Sequence, residues 1–404
     1  MDNKGDIIDE VTMVRMPSGK SYTGDNQAEI FCHGGQFVLR RILNEIFKHG
    51  ARPAEPGEFT RRAFMAGRID LARAEAVADL VAAKTSYAYR AARDNLIGEL
   101  SEHIDKIRDK AIELLSEIEA SIDFPEEDIQ PAEREHRLEI IAYIIEEIER
   151  LVESYRAGKI IKEGFKIAIT GRPNAGKSSL FNLFLNQSRA IVAPVPGTTR
   201  DYLTEWIDLD GVAVSLTDTA GLRSRAGQVE KAGQAMAVKI LKETDLVLWM
   251  ADISEENWKN LLKADLKELD NKTDVLVILN KTDLVSKNVI DGKNLEKNFG
   301  AAIPLSCKTR AGFAGLKKEL IRRVSGDMPD LTDRLVVTSD RHRAKLAGSL
   351  KSLRRTAKGI KDDISPELIA FELNQAVNEI DEITGRIYNE EILDRIFSQF
   401  CIGK

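Results

Sequence analysis

Apolar residues change their spacing along the chain, and each change predicts a different kind of structure. Residues 1–70 carry short apolar runs, "DEVTMVRM" and "QAEIFC", set between turn-rich stretches such as "CHGG" and "RPAEPGEF". That texture predicts a small piece of mixed strands and helices. From about residue 71 the spacing lengthens: Ile104, Ile107, Ala111, Leu115, Ile118 and Ile122 step by three and four, the period of one helix face. After a break at "DFPEED" the period returns at Leu138, Ile141, Ile145, Ile148, Val152 and Tyr155. Both runs are short for a coiled coil and predict packing within a helical bundle.

Near residue 164 the texture changes again. "FKIAIT", "VAVSLTD", "DLVLWMAD", "DVLVILNKTD" and "AAIPLS" are short bounded apolar runs, most of them separated by helical stretches. Such alternation predicts a mostly parallel sheet covered on both faces. After about residue 326 the chain is helical once more; Ser365 as N-cap and Pro366 at the first helical position open one helix, and Gly385 closes it. The expected fold class is an α/β domain with a doubly wound sheet, inserted in an all-α helical domain and preceded by a small α+β domain. The expected boundaries are 1–70, 71–163, 164–325 and 326–404.

Composition adds little to this picture. With 43% apolar and 31% charged residues and a net charge of -6, the chain carries no overall bias toward nucleic acid. Cys32, Cys307 and Cys401 form no CxxC pair, which suits a reducing compartment and argues against a structural zinc site. No apolar run approaches a membrane span, and residues 1–15 are too acidic for a targeting peptide, so the expected location is the cytoplasm, with no membrane partner.

The candidate chemistry lies in the α/β stretch. "GRPNAGKSS", Gly171–Ser179, joins a strand-like run to a helix-like one and matches the phosphate-loop pattern. Its glycines let backbone N–H groups face phosphate oxygens, Lys177 supplies a point charge, and Ser178 offers a hydroxyl to magnesium. "NKTD", Asn280–Asp283, ends a later strand, and an aspartate there can accept both the ring N–H and the exocyclic amine of guanine. "SCK", Ser306–Lys308, follows the next short strand. "PGTTRD" (Pro196–Asp201) resembles a switch I segment and "DTAG" (Asp218–Gly221) the segment around the γ-phosphate. Leu222 follows DTAG where many GTPases carry a water-orienting glutamine. The group that orients water must therefore come from a partner or from another switch residue such as Arg223, Arg225, Gln228 or Glu230.

These motifs, with "VEKAG", the terminal "FCIGK" and the N-terminal stretches "SYTGDNQAEIFCHGG", "RPAEPGEFTRRAF" and "RIDLARAEAVADLVAAKT", resemble the MnmE (TrmE) family of tRNA-modification GTPases over essentially the whole chain. The resemblance implies a G domain inserted in the helical domain and a folate-binding, dimerising N-terminal domain. It implies hydrolysis of GTP, driven by potassium-dependent docking of two G domains in a homodimer. It further implies partnership with the flavoprotein MnmG in adding a carboxymethylaminomethyl-type group to C5 of the wobble uridine of certain tRNAs. Expected GTP contacts are Asn174, Ala175, Gly176, Lys177, Ser178 and Ser179 of the phosphate loop and Ala193, Pro194, Val195, Pro196, Gly197, Thr198 and Thr199 of switch I. Asp218, Thr219, Ala220 and Gly221 join them, with Asn280, Lys281, Asp283, Ser306, Cys307 and Lys308 at the base.

The same resemblance assigns magnesium to Ser178 and Thr199, and potassium to Asn174, Ala193, Val195 and Thr198. It makes Glu230 the residue that orients water, against the plainer reading of a first-turn helix glutamate. For Asn174 the plainer reading is a turn-forming asparagine. Glu29, Arg68 and Lys404 match folate contacts, for 5-formyltetrahydrofolate or a related folate, with Arg68 standing where lysine is commoner. Family members carry further residues ahead of the point where this chain starts, so a shortened N-terminal domain is expected, which bears on folate binding and dimerisation. Cys401 is either a site of redox or nucleophilic chemistry or a small apolar residue under the bundle.

One stretch stands apart. From Arg334 to Lys361 there are nine basic residues against the single acid Asp340. Such a helix either contacts tRNA phosphates, or pairs with the acidic residues Glu146, Glu147, Glu149 and Glu153, or is a solvated face. A ribosome-assembly GTPase, a switch without modification chemistry, is the alternative reading; the second G domain or GxxG RNA-binding module that would mark it is not found in the sequence.

Overall fold

The computed structural model describes residues 5–123, 131–187, 189–190, 204–218, 244–267, 274–286, 299, 301–325 and 335–403. The chain divides into two compact units, one of residues 1–82, 92–153 and 339–404 and one of residues 83–91 and 154–338.

The first unit begins with an antiparallel hairpin of β1 (Thr12–Met16) and β2 (Gln27–Phe31), in which Thr12 lies opposite Phe31 and Met16 opposite Gln27. Helices α1 (Gln36–Lys48), α2 (Glu58–Met65) and α3 (Leu71–Ala82) follow, then α4 (Ser86–Ile97), the long α5 (Glu99–Asp123) and α6 (Pro131–Glu163), of which α4 gives its first residues and α6 its last to the second unit. On α5 the expected stripe is buried at Ile104, Ile107, Ala111, Leu115 and Ile118. On α6 the stripe turns: Ile141, Ile144, Ile148 and Leu151 are buried, while Ile145 and Val152 are only half-buried. Adjacent isoleucines satisfy the helical period in two registers, and packing selects one of them.

The chain returns to this unit with α10 (Asp340–Lys361), α11 (Pro366–Thr384) and α12 (Glu390–Phe397); α10 packs along α11, and α11 along α5. The ends of α11 fall where Ser365, Pro366 and Gly385 predicted. Gly385 sits at φ 77°, and a Cβ there would lie 2.8 Å from both Leu71 and Phe64. Conformation and contact both demand glycine.

A buried charge cluster stitches α3 to α10. Arg341 and His342 meet Glu75 at 2.7 and 2.8 Å, and Arg341 also donates to the Glu382 and Ile383 carbonyls. Burial works to raise the Glu75 pKa, but the charges of His342 and Arg341 outweigh it and hold the carboxyl well below its usual range.

The second unit is built on a seven-stranded sheet of β3 (Phe165–Gly171), β4 (Arg189–Ala190), β5 (Thr204–Leu209), β6 (Val212–Asp218), β7 (Leu246–Asp252), β8 (Val275–Asn280) and β9 (Ala302–Pro304). The strand order is β4-β5-β6-β3-β7-β8-β9; β4–β5 and β5–β6 are antiparallel, and every other pair is parallel. Helices α7 (Lys177–Gln187), α8 (Trp258–Lys267) and α9 (Phe313–Ser325) flank it. The two-residue strand period sends Leu276 and Ile278 to the face holding Leu180, Phe184, Leu316 and Leu320, and Val277 and Leu279 to the face holding Trp258 and Leu262. Residues 83–91 belong here because Lys84 lies over the Trp206 ring at 3.8 Å and Tyr87 closes on Gly211 of the β5–β6 turn.

Two outcomes follow for stability. Gly385→Ala should cost roughly 1–3 kcal/mol, from a left-handed alanine and a displaced Phe64, measured by denaturant unfolding. The stability that ionised Glu75 contributes is present in full above the ordinary carboxylate pKa of 4.5 and is lost as pH falls from there toward the depressed folded value. Glu75→Gln should therefore be destabilised by roughly 3–5 kcal/mol at neutral pH, with its gap to the unmodified protein narrowing in acid.

Candidate guanine-nucleotide site

The phosphate loop begins where β3 runs out. Gly171 sits at φ 135°, and a Cβ there would lie 2.3 Å from the Met250 carbonyl oxygen. Gly176 sits at φ 101°, and its Cβ would lie 2.2 Å from the amide nitrogen of Asn280. Between them Asn174 is exposed and adopts φ 63°, a conformation asparagine tolerates. The ammonium of Lys177, first residue of α7, donates to the Gly171 and Arg172 carbonyls at 2.9 and 2.7 Å, which places a positive charge inside the loop. Arg172 is tied to Asp265 of α8 by two bonds, at 2.9 and 2.7 Å. Ser179 is exposed on the first turn of α7.

Parallel pairing of β3 with β6 sets Ile169 beside Asp218, and the Ser178 hydroxyl then donates to the Asp218 carboxylate at 3.0 Å. A hydroxyl and a buried carboxylate converging at a helix N-terminus form a hard-oxygen donor set, which suits magnesium with a phosphate.

The base corner is assembled from β8 and β9. Asn280, buried at the end of β8, donates to the Ala175 carbonyl at 2.8 Å and accepts from the Cys307 N–H at 3.1 Å. Lys281 follows at φ 68° and reaches Asp252 at the end of β7. Asp283 accepts from the Ser306 hydroxyl at 2.6 Å, and that bond holds its carboxyl below the usual range. It is thus an ionised acceptor held ready for two donors. Burial, helped by the Asp283 charge, pushes the Cys307 thiol up to about 11, so Cys307 serves this corner through its backbone N–H. Lys308 is exposed beside it.

Ala193, Pro194, Val195, Pro196, Gly197, Thr198, Thr199, Thr219, Ala220, Gly221, Glu230 and Lys404 lie outside the described residues. Glu29 is exposed on β2 and accepts from Gln27 at 3.2 Å, while Arg68 donates to the Gly19 carbonyl at 2.7 Å. Cys401 is exposed, so it is no small apolar filler under the bundle. That place is taken by Phe400, packed against Phe397, and Ile402 bridges back to Pro56.

The basic stretch is largely engaged within its own unit. Arg341 binds Glu75, Lys345 binds Glu379 and Glu382, Arg354 binds Glu149, and Arg355 binds Glu372. Sequence reasoning proposed one of these acids, Glu149, because it lies in a visibly acidic run, and missed Glu75, Glu372, Glu379 and Glu382 on α3 and α11. It also missed Asp252 and Asp265, which carry no motif of their own.

Comparison with known proteins completes the picture. The family model for the MnmE helical domain matches residues 71–401, and that for the N-terminus of the GTP-binding protein TrmE matches residues 1–68. The tRNA modification GTPase MnmE of Thermoanaerobacter sp. (strain X514) is 41% identical over 404 residues, covering 99% of this chain and 86% of that protein. MnmE of Aquifex aeolicus (strain VF5) is 40% identical over 407 residues, covering 100% of this chain and 88% of that protein. The chain belongs to the MnmE family of tRNA modification GTPases. Within the span of the helical-domain match lies an α/β G domain with a mostly parallel sheet, inserted in the helical domain and preceded by a small α+β domain. Among solved structures, the G domain of the T. maritima FeoB iron transporter is 26% identical, covering 39% of this chain and 97% of that one, at a TM-score of 0.30, too low to bear on the fold. Among the described residues, no helix is long and apolar enough to cross a membrane.

Guanine selectivity gives a direct check on the base corner. Asp283→Asn should weaken GDP binding roughly 10²–10⁴-fold and shift preference toward xanthine nucleotides, whose carbonyl accepts where guanine's amine donates, as measured by equilibrium titration.

Proposed function

We propose that this chain is a cytoplasmic, potassium-activated GTPase, working as a homodimer with the flavoprotein MnmG to add a carboxymethylaminomethyl-type group to C5 of the wobble uridine of certain tRNAs. The observation that carries the reading is the pairing of Ser178 with Asp218 beside a base corner already built from Asn280, Asp283 and Ser306, in a chain of this family.

Each residue then has a task. The Lys177 ammonium neutralises phosphate charge, and the loop N–H groups with the start of α7 orient it. Ser178 and Thr199 would hold magnesium. Asn174, exposed in the loop, with Ala193, Val195 and Thr198, would hold potassium. When bound, the two ions supply positive charge to phosphate oxygens, as an inserted arginine does in other GTPases. Leu222 cannot hydrogen-bond to water, so Glu230 is assigned to orient the attacking water. Closure of two G domains across this face is what completes the site.

For the modification step, Glu29, Arg68 and Lys404 are the folate contacts and exposed Cys401 the reactive thiol. Contact with tRNA phosphates through α10 would rest on the cations outside the ion pairs described above, among them Lys351, Lys358 and Lys361.

Hydrolysis in potassium chloride should exceed that in sodium chloride by about tenfold or more, and Asn174→Ala should remove most of the difference. Glu230→Ala should bind GTP normally while hydrolysing it roughly 10²-fold more slowly. Equal rates in the two salts would argue against the potassium site; a fully active Glu230→Ala would leave that residue a plain helix glutamate.

A further inference from the structure

Lys281 is the one member of the guanine motif whose side chain is held by a residue outside every recognised motif. Asn280 is tied to the phosphate loop and Asp283 to Ser306, but Lys281 reaches across to Asp252 at the end of the neighbouring strand. Parallel pairing of β7 with β8 sets Asp252 beside Asn280, and the Ile253 N–H donates to the Asn280 carbonyl at 3.2 Å. The partner carboxylate is therefore positioned by the sheet itself.

The two oxygens of Asp252 are divided between tasks. One accepts from both the N–H and the hydroxyl of Ser254, at 3.0 and 2.5 Å, which fixes the carboxylate rotamer; the other faces the Lys281 ammonium. Only 8% of the Asp252 side chain is exposed, against 32% for Lys281. The buried acid is thus the fixed end of the pair, and the lysine stem spans from the motif to that anchor. Burial alone would raise the Asp252 pKa, but Lys281 and Ser254 outweigh it, so the anchor stays charged.

We infer that Asp252 is a positioning residue for guanine-nucleotide binding: by holding the Lys281 ammonium, it keeps the lysine stem laid out as a wall of the base pocket before the nucleotide arrives. A lysine has several rotatable bonds, and ordering it only on binding would subtract from affinity. Anchoring it in advance removes that loss. The inference rests on the reading of this site as a guanine-nucleotide pocket.

The test uses the full chain, with fluorescent GDP titration and steady-state GTP hydrolysis. Asp252→Asn keeps the side-chain shape and removes the charge. It should weaken GDP binding about tenfold and raise KM for GTP by a similar factor, with kcat within about twofold. The thermal midpoint of nucleotide-free protein should move little. In a double-mutant cycle, Asp252→Asn should add nothing to Lys281→Met, because both remove the same contact. Unchanged GDP affinity in Asp252→Asn, or additive losses in the double variant, would overturn the assignment. Should Asp252→Asn fail to fold, Ser254→Ala serves instead, since it frees the carboxylate to rotate. It should weaken GDP about threefold alone and not at all in the Lys281→Met background; equal weakening in both backgrounds would overturn the assignment. Unmodified protein that failed to bind GDP would overturn the guanine-site reading, and this proposal with it.

Discussion

The carboxamide of Asn280 joins two segments distant in sequence: its N–H donates to Ala175 in the phosphate loop, 105 residues earlier, and its oxygen accepts from Cys307 after β9, 27 residues later. The close approach of the loop and the aim of the base corner depend on that buried amide. Gly176 must lack a side chain because the amide occupies the space, and Asp283 is aimed by Ser306, the neighbour of the residue that Asn280 holds. A polar group buried this deeply is stable only when its donors and acceptors are used, so the same bonds that satisfy it also lock phosphate loop and base corner together. The sheet makes this possible by ending β3, β7 and β8 side by side, which brings the Gly171, Asp252 and Asn280 ends to one edge.

Charge is handled in the helical unit by a similar logic on a larger scale. The helix α10 reads as strongly basic in sequence, yet Arg341, Lys345, Arg354 and Arg355 each face an acid from another helix or from the far side of a turn. The buried cluster at Glu75 differs in kind from the outer pairs. Its partners are almost enclosed, so removing one leaves charge without solvent, whereas the outer pairs are screened by water and contribute little to stability individually. The cluster therefore specifies how α3, α10 and the end of α11 meet, while the outer pairs lower the charge that α10 presents.

Periodicity was sufficient to place helix α5, whose apolar face repeats at a single period; α11 was placed by its chemically distinct cap residues, and the central strands by their bounded apolar runs. Periodicity was insufficient on α6, where "IIAYII" supports two stripes, and at β5, where "TEWIDL" mixes polar and apolar residues and lacks the continuous apolar run of the central strands. Phosphate loop and base corner were legible for a different reason: glycines at forced φ values and the fixed order of the NKTD segment leave little freedom of residue type.

By itself the sequence determined the class of each domain, the nucleotide chemistry and the membership in a GTPase family, since these depend on local spacing and on residues whose roles admit few substitutes. Only the tertiary structure decided which acids meet the cations of α10, that Cys401 faces solvent while Phe400 fills the core, and that Asp252 and Asp265 brace the nucleotide loops. Those outcomes depend on which surfaces are brought within a few ångströms of one another. An aspartate distant in sequence carries no local mark of the lysine or arginine it will meet, and that meeting is set by sheet order and helix packing.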